Sequence, residues 1–109
     1  MMSTVSVYVE ALMLLLPREA GGRTAPVAPR EGSYRPFARV GDRTTRALLL
    51  EGPPLLAPGD AARVMLELEA DTGVERTIDE GTELQLLEHD ERVVGTVTVL
   101  RVCRRATFV

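Results

Sequence analysis

The chain has 109 residues with a formal net charge of −3, and 45% of its residues are hydrophobic. This length and composition are typical of a single domain with one core, and they exclude a chain that is disordered throughout. The lone cysteine, Cys103, excludes an intrachain disulfide, and the single histidine leaves a His/Cys zinc site without ligands. We interpret Cys103 as a partly buried thiol near the C-terminus.

Charge is distributed unevenly along the chain. Residues 1–50 carry a net charge of +3, residues 51–91 carry −10 and residues 92–109 carry +4. A weakly acidic protein can therefore present a basic face, provided that the fold brings the N-terminal third beside the C-terminal strand. The chain contains no lysine, which we attribute to genome composition bias rather than to anion recognition.

The N-terminal apolar stretch lacks the features of a targeting or membrane segment. No basic region precedes it, Glu10 interrupts it, and it is too short to span a bilayer. We therefore expect a soluble cytoplasmic protein with no membrane partner.

Alternating apolar and polar residues predict strands in the first half of the chain. Residues 5–16 form a long first strand that is apolar on both sides from Ala11 onward. Residues 34–40 and 44–51 form the next two strands. The first of these two belongs at an edge or beside a bulge, because Pro36 cannot donate to a ladder.

The alternation is clearest in residues 62–70, where one side is apolar and the other is charged. Residues 57–60 precede this strand with proline and glycine at the two central positions of a type II turn. Ile78 is the one large apolar anchor of the segment that follows the strand.

The last two strands are predicted to pair as a hairpin. They are residues 83–88 and 92–102, and Gly95 within the second indicates a bulge or a close backbone approach. About six short strands, frequent turns and no convincing amphipathic helix predict a single all-β domain over residues 1–109. A closed or nearly closed β-barrel is the expected architecture.

Residues 18–46 differ from the rest of the chain. They hold seven of the thirteen arginines against three acids, and glycines and prolines exclude one long regular element. This composition predicts a basic surface loop that runs into a strand. If the protein binds an anionic partner, this segment is the expected binding site.

The sequence lacks the patterns on which the common enzyme classes depend. Without lysine there is no P-loop, the glycines near Arg23 do not open a helix as a Rossmann turn requires, and no G-x-S-x-G is present. His89 beside Asp90 is interpreted as a solvated hairpin tip, and the acids of residues 67–91 as a solvated strand face. We predict no enzymatic activity, no cofactor and no metal site.

Several short motifs follow one another in a fixed order. A long first strand leads to Gly-Gly-Arg, Tyr-Arg-Pro, a Thr-Thr strand, Pro-Gly-Asp, an Asp-Glu-Gly turn and a final strand with Val-Gly. In this order the chain resembles the C-terminal (third) domain of translation elongation factor Tu and its relatives, over roughly residues 7–102. The matching residues are Gly21, Gly22, Arg23, Pro26, Tyr34, Arg35, Pro36, Pro58, Gly59, Asp60, Asp79, Gly81, Arg92, Val94 and Gly95.

The resemblance implies a six-stranded antiparallel β-barrel. In full-length factors this domain helps to hold the T-stem of aminoacyl-tRNA and contacts both the nucleotide exchange factor and the GTPase domain. The GTPase domain and the middle barrel have no counterpart in these 109 residues.

The tRNA-contacting surface of the family is matched only in part. Gly22, Arg23 and Arg35 agree with the family pattern. The histidine after Gly-Gly-Arg is Thr24 here, and the arginine before the family's Glu-Gly-Gly tip is Leu87. The tip itself has become His-Asp-Glu, and the added acids weaken any phosphate contact there.

Two classes of function remain open. The first is protein interaction or self-association through the outer side of the first strand. The outer face of an isolated barrel is expected to be polar, whereas this side of the strand is apolar. Its candidate residues are Leu12, Leu14 and Leu16. The alternative is binding of a tRNA-like RNA backbone through the basic 18–46 segment, with help from Arg101, Arg104 and Arg105. Its candidate residues are Gly22, Arg23, Arg30, Arg35 and Arg39.

The missing P-loop and the absence of lysine predict that the chain neither binds nor hydrolyses GTP. Calorimetric titration with GTP and Mg²⁺ should show no heat of binding, with a P-loop GTPase as the positive control. Micromolar affinity for GTP would contradict this prediction.

Overall fold

The computed structural model describes residues 3–69, 77–89 and 91–108. Two short 3₁₀ turns, Arg18–Ala20 and Pro29–Glu31, lie between the first two strands. No helix among the described residues is long and apolar enough to cross a membrane. The strands are β1 (Ser3–Leu15), β2 (Phe37–Val40), β3 (Arg43–Glu51), β4 (Ala61–Glu69), β5 (Glu83–Glu88) and β6 (Arg92–Phe108).

The strands close into a barrel in the order β1-β4-β3-β2-β5-β6, and β6 returns to β1. Every neighbouring pair is antiparallel. The predicted all-β, six-stranded antiparallel barrel is therefore confirmed. Because β1 and β2 stand three places apart in this ring of six, they form opposite walls of the barrel.

The inward side of each strand fills the barrel. In β1 the odd-numbered residues from Val7 to Leu15 are fully buried, whereas their even-numbered neighbours face outward. Burying one such valine or leucine contributes roughly 1.5–3 kcal/mol relative to leaving it exposed. The other strands contribute Ala38, Ala47, Leu49, Leu66, Leu68, Leu84, Leu86, Val97 and Val99 to the same core.

Hydrogen bonds attach the long loops to this core. Val27 and Leu56 bridge one another through N–O distances of 2.8 and 2.7 Å, and both side chains are buried. The predicted turn at residues 57–60 is confirmed, since the Asp60 N–H donates to the Ala57 carbonyl over 2.9 Å. Gly59 takes the left-handed φ of 92° that a type II turn requires at this position.

Strand β2 is shorter than the predicted segment 34–40 and begins at Phe37. The chain already runs along β3 before that point, because the Pro36 carbonyl accepts from the Ala47 N–H over 2.9 Å. Pro36 has no N–H to complete the ladder, so regular pairing begins only after it.

Gly95 lies where β6 approaches the end of β1. A Cβ at this position would lie 2.5 Å from the Leu14 carbonyl oxygen. The pairing of β5 with β6 also shifts register beside it, between Leu86 and Leu87. Both expectations for this glycine, a close backbone approach and an adjacent bulge, are confirmed.

A second bulge changes which residues of β6 face outward. Leu100 is an extra residue opposite a single step of β1. Before the bulge the odd-numbered Val99 faces inward, and after it the even-numbered Val102 is half-buried while Cys103 is exposed. The interpretation of Cys103 as a partly buried thiol is therefore wrong, because the extra residue moves the alternation by one position.

Among residues 3–69, 77–89 and 91–108, β1 and β6 pair with each other over a longer stretch than with their other neighbours. Their pairing reaches Ser3 opposite Phe108, whereas the described pairing of β4 with β1 reaches Ser6 and that of β5 with β6 reaches Thr98. The molecule is elongated, with extents of 47 × 29 × 24 Å.

Candidate functional site

The outer wall formed by β1 and β6 carries an exposed apolar surface. Leu12 is 46% exposed, Leu14 is 39% exposed, and the bulged Leu100 is 38% exposed. Leu12 lies opposite Thr98 and Leu14 lies opposite Thr96 across the β1–β6 pairing. The three leucines therefore share one continuous wall, and we refer to them as the β1 face.

The third predicted leucine, Leu16, has a different environment. It follows the end of β1, where its N–H donates to the Val94 carbonyl over 2.9 Å, and its side chain is half-buried. Leu16 therefore offers less accessible apolar area than Leu12 or Leu14, and Leu100 extends the wall on the Leu12 side instead.

Charges of both signs border the β1 face. Glu10, two residues before Leu12 on the same side of β1, forms ion pairs with Arg63 at 3.2 Å and with Arg101 at 3.4 Å. Both arginine side chains are mostly exposed, and pairs of this kind contribute about 0–1 kcal/mol to stability. Glu10 and Arg63 also line a shallow depression of about 220 Å³ together with Glu51. The apolar wall thus ends at a polar rim.

Within the basic 18–46 segment, Arg23 is attached to the barrel. Its guanidinium forms an ion pair with Glu88 at the end of β5, and the Tyr34 hydroxyl donates to the same carboxylate oxygen. The guanidinium also lies over the Tyr34 ring, 5.0 Å from its centre. The side chains of Arg23 and Glu88 are only 21% and 10% exposed. We refer to this group of three residues as the Arg23 latch.

Burial and charge act together on the latch residues. Burial alone lowers the pKa of Arg23, but the hydrogen bond and the negative charge of Glu88 outweigh it, so the net pKa is raised. Burial, followed by the hydrogen bond to Glu88, raises the pKa of Tyr34 well above its ordinary value. Both groups therefore keep their protons, and both donate to Glu88.

Gly22, another RNA-binding candidate, has a packing role. A Cβ at this position would lie 2.0 Å from the Leu16 carbonyl oxygen, and its own N–H donates to the Pro17 carbonyl over 3.0 Å. The residue is buried beneath the end of β1. This close approach explains a glycine at this position without a ligand.

The remaining RNA-binding candidates differ in their surroundings. Arg30 donates through Nε to the Gly52 carbonyl over 3.1 Å, and Arg39 donates through Nε to the Gln85 side-chain oxygen over 3.1 Å. Arg35 is exposed. The structure therefore does not gather Arg23, Arg30 and Arg39 into one cluster of accessible guanidinium groups.

A smaller basic surface lies on the wall opposite the β1 face. Phe37 of β2 lies opposite Arg46 of β3, whose guanidinium stacks 4.7 Å from the ring centre. Arg39 lies two residues further along the same outer side of β2. We refer to Phe37, Arg39 and Arg46 as the arginine face.

Sequence reasoning missed Leu100, Glu88 and Arg46 as members of these surfaces. The apolar residues Val97 and Val99 of β6 are odd-numbered, whereas Val102 is even-numbered. This change from odd to even positions is a pattern that would have indicated the bulge at Leu100. The pairing of Glu88 with Arg23 spans 65 positions in the chain, and no local pattern encodes a contact of that separation.

The predicted hairpin tip is only partly described, because Asp90 lies outside the described residues. His89 is exposed. No group of three or more His, Cys, Asp or Glu residues that could hold a metal ion occurs in residues 3–69, 77–89 and 91–108. No protein-family model matches the sequence.

The raised pKa of Tyr34 predicts a loss of stability at alkaline pH. The unfolded tyrosine ionises near its ordinary pKa of 10.0 while the folded Tyr34 stays protonated, so its contribution is complete below that pH and falls as the pH rises above it. Between about pH 10 and pH 11 the free energy of unfolding should fall by about 1 kcal/mol more in the wild type than in Tyr34→Phe. Urea unfolding at several pH values measures this difference. Equal alkaline loss in both proteins would show that the latch does not hold the hydroxyl.

Proposed function

We propose that this barrel is a non-catalytic, cytoplasmic protein-interaction module and that the β1 face is its docking surface. The observation that carries the proposal is the exposure of three leucines, between 38% and 46%, on one wall. Full burial of a leucine contributes roughly 1.5–3 kcal/mol, so burying the exposed part of each of these side chains contributes about half of that before the costs of ordering are subtracted. The charged rim around Glu10 gives this apolar centre the polar border that is typical of a docking surface.

Self-association is the simplest form of this function. The rim offers a carboxylate from Glu10 and exposed guanidinium groups from Arg63 and Arg101. A surface that carries both signs of charge can complement a second copy of itself across a two-fold axis. The first measurement is therefore the oligomeric state.

We also propose that the chain is a relative of the third domain of elongation factor Tu. The order of the motifs and the six-stranded antiparallel barrel support this relationship. Two motif glycines, Gly22 and Gly95, occupy positions where a Cβ would collide with backbone, so the demands of the fold account for them. In that family, surfaces of the domain are buried against neighbouring domains, and an isolated relative would use such a surface for a partner.

RNA backbone binding is the second candidate function. The arginine face favours it, because a guanidinium stacked on Phe37 with Arg39 beside it offers both charge and a ring surface. A binding surface that covers the whole 18–46 segment is disfavoured, because the positive charge of Arg23 is already paired with the carboxylate of Glu88.

Self-association should depend on the β1 face. The double change Leu12→Glu with Leu14→Glu should abolish concentration-dependent association in light scattering while the β-type circular dichroism spectrum persists. The matched control is Thr44→Glu with Gln85→Glu, which makes the same change in net charge at exposed positions of β3 and β5. If the wild type is monomeric at high concentration and captures no partner, or if the control dissociates equally, the β1 face is not the docking surface.

RNA binding, if it occurs, should depend on the arginine face and on salt. Replacing Arg39 and Arg46 together with glutamine should weaken binding of a tRNA-like stem by about tenfold or more at low salt. Arg63→Gln with Arg101→Gln, on the opposite wall, removes the same charge and should change affinity less. Equal losses in both double variants would indicate attraction by net charge alone.

A further inference from the structure

The arginine face has a layered arrangement that attraction of an anion alone does not require. In the strand pairing, Phe37 lies between Arg46 of β3 and Leu87 of β5, and Leu87 is buried. The guanidinium of Arg46 lies over the half-buried Phe37 ring, 4.7 Å from its centre, and Arg46 itself is exposed. The outermost layer at this position is therefore a flat cation that rests on an aromatic ring.

This layer leaves one side of the Arg46 guanidinium for a further flat group. A guanidinium is planar and delocalised, so it stacks on aromatic rings as well as pairing with anions. One side of Arg46 lies on Phe37, and the other side is directed to solvent because the residue is exposed. Unpaired nucleobases stack on guanidinium planes and on aromatic side chains in this way.

Arg39 supplies a second charge that is held in place. It lies two residues beyond Phe37 on the same outer side of β2, at a distance of about 7 Å along the strand. Its guanidinium donates through Nε and Nη2 to the side-chain oxygen of Gln85 over 3.1 and 2.5 Å. Because an amide oxygen is neutral, these bonds orient Arg39 without cancelling its positive charge. Arg23 differs in this respect, since its partner Glu88 is a carboxylate.

The sequence around these two arginines is basic. Residues 34–46 contain four arginines and a single acid, Asp42, which lies in the turn between β2 and β3. This charge attracts an anion. An acidic peptide of glutamate and aspartate would meet the charge but offers no flat group to Arg46, whereas a nucleotide offers both a phosphate and a base.

We propose that the arginine face binds unpaired nucleotides of an RNA strand, with a base stacked on Arg46 and a neighbouring phosphate paired with Arg39. This site rests on RNA binding, the second candidate function, and narrows it to unpaired nucleotides, because the bases inside a stem already stack on one another. The site lies on the wall opposite the β1 face, so RNA and a protein partner would not compete for one surface.

The test uses the full chain and a fluorescein-labelled RNA of eight alternating adenosines and cytidines, which does not pair with itself. The comparison is an abasic strand of the same length, which carries the same phosphates and no bases. Fluorescence anisotropy at low salt should show that the RNA binds about tenfold more tightly than the abasic strand. This comparison uses the wild-type protein alone, so it does not depend on the folding of a variant.

A change at Arg46 separates stacking from charge. Arg46→Lys keeps the positive charge and removes the planar guanidinium, so it should bind the RNA and the abasic strand with nearly equal affinity. The matched control Arg63→Lys makes the same exchange at an exposed position of β4 and should keep the preference of the wild type for the RNA.

Equal binding of the two strands by the wild type, or binding of an RNA stem alone, would overturn the proposal and leave RNA backbone binding as a candidate. A preference for the RNA that persists in Arg46→Lys, or that is lost equally in Arg63→Lys, would also overturn it. Displacement of the RNA by an eight-residue glutamate peptide as readily as by unlabelled RNA would assign the arginine face to acidic proteins instead. If neither strand nor a stem binds, the candidate function fails together with the proposal.

Discussion

The pairing of the first strand with the last closes the barrel, and the other features of the molecule depend on it. β1 pairs with β6 along its whole length and with β4 along most of it. Joining the two ends of the chain in this way carries an entropic cost that grows only slowly with the length between them. The buried odd-numbered residues of β1 offset that cost, because their side chains lie in the core that the closed barrel encloses.

The bulges lie on β6 and β3 and not on β1, since the described pairings shift register beside Gly95, at Leu100 and at Leu50. An extra residue in one strand of a pair bends that strand and increases its twist, which helps a sheet to close into a barrel. The register shifts beside Gly95 and at Leu100 both place the extra residue on β6, while β1 keeps an unbroken alternation. The regularity of β1 is what puts Leu12 and Leu14 on the same outer wall.

The Arg23 latch shows that the charge of a segment and the charge of a surface are different quantities. Residues 18–46 are strongly basic in sequence, yet the guanidinium of Arg23 is largely withdrawn from solvent and paired with Glu88. Withdrawing both charges from water is costly, and the hydrogen bond from Tyr34 helps to satisfy the carboxylate. The latch fixes the loop to the end of β5, and the arginines of the β2–β3 wall remain more accessible.

The sequence predicted the parts of the structure that follow a regular period. The alternation of residues 5–16 predicted a strand with one side in the core, since a barrel of this size fills its interior with one side of each strand. The turn at residues 57–60 and the close approach at Gly95 followed from residue types with narrow backbone preferences. The strand count and the family resemblance together predicted closure.

Predictions failed where one residue interrupts the period or where a contact joins distant segments. Cys103 is exposed and not partly buried, because the inserted Leu100 moves Val102 to the inward side and Cys103 to the outward side of β6. The partner of Arg23 was missed because the contact joins the loop before β2 to the end of β5. Neither the charge of Arg23 nor the position of Glu88 contains information about the other.

Leu100 affects both the apolar wall and the alternation of β6. As an extra residue it is displaced outward and extends the apolar wall beside Leu12. It also sets the alternation of the residues that follow it, so that the backbone of Cys103 hydrogen-bonds to β1 and its side chain is exposed. Without the extra residue the alternation of Val97 and Val99 would continue, and Cys103 would face inward. The position of this one bulge therefore determines both where the apolar wall ends and which side of β6 the thiol of Cys103 faces.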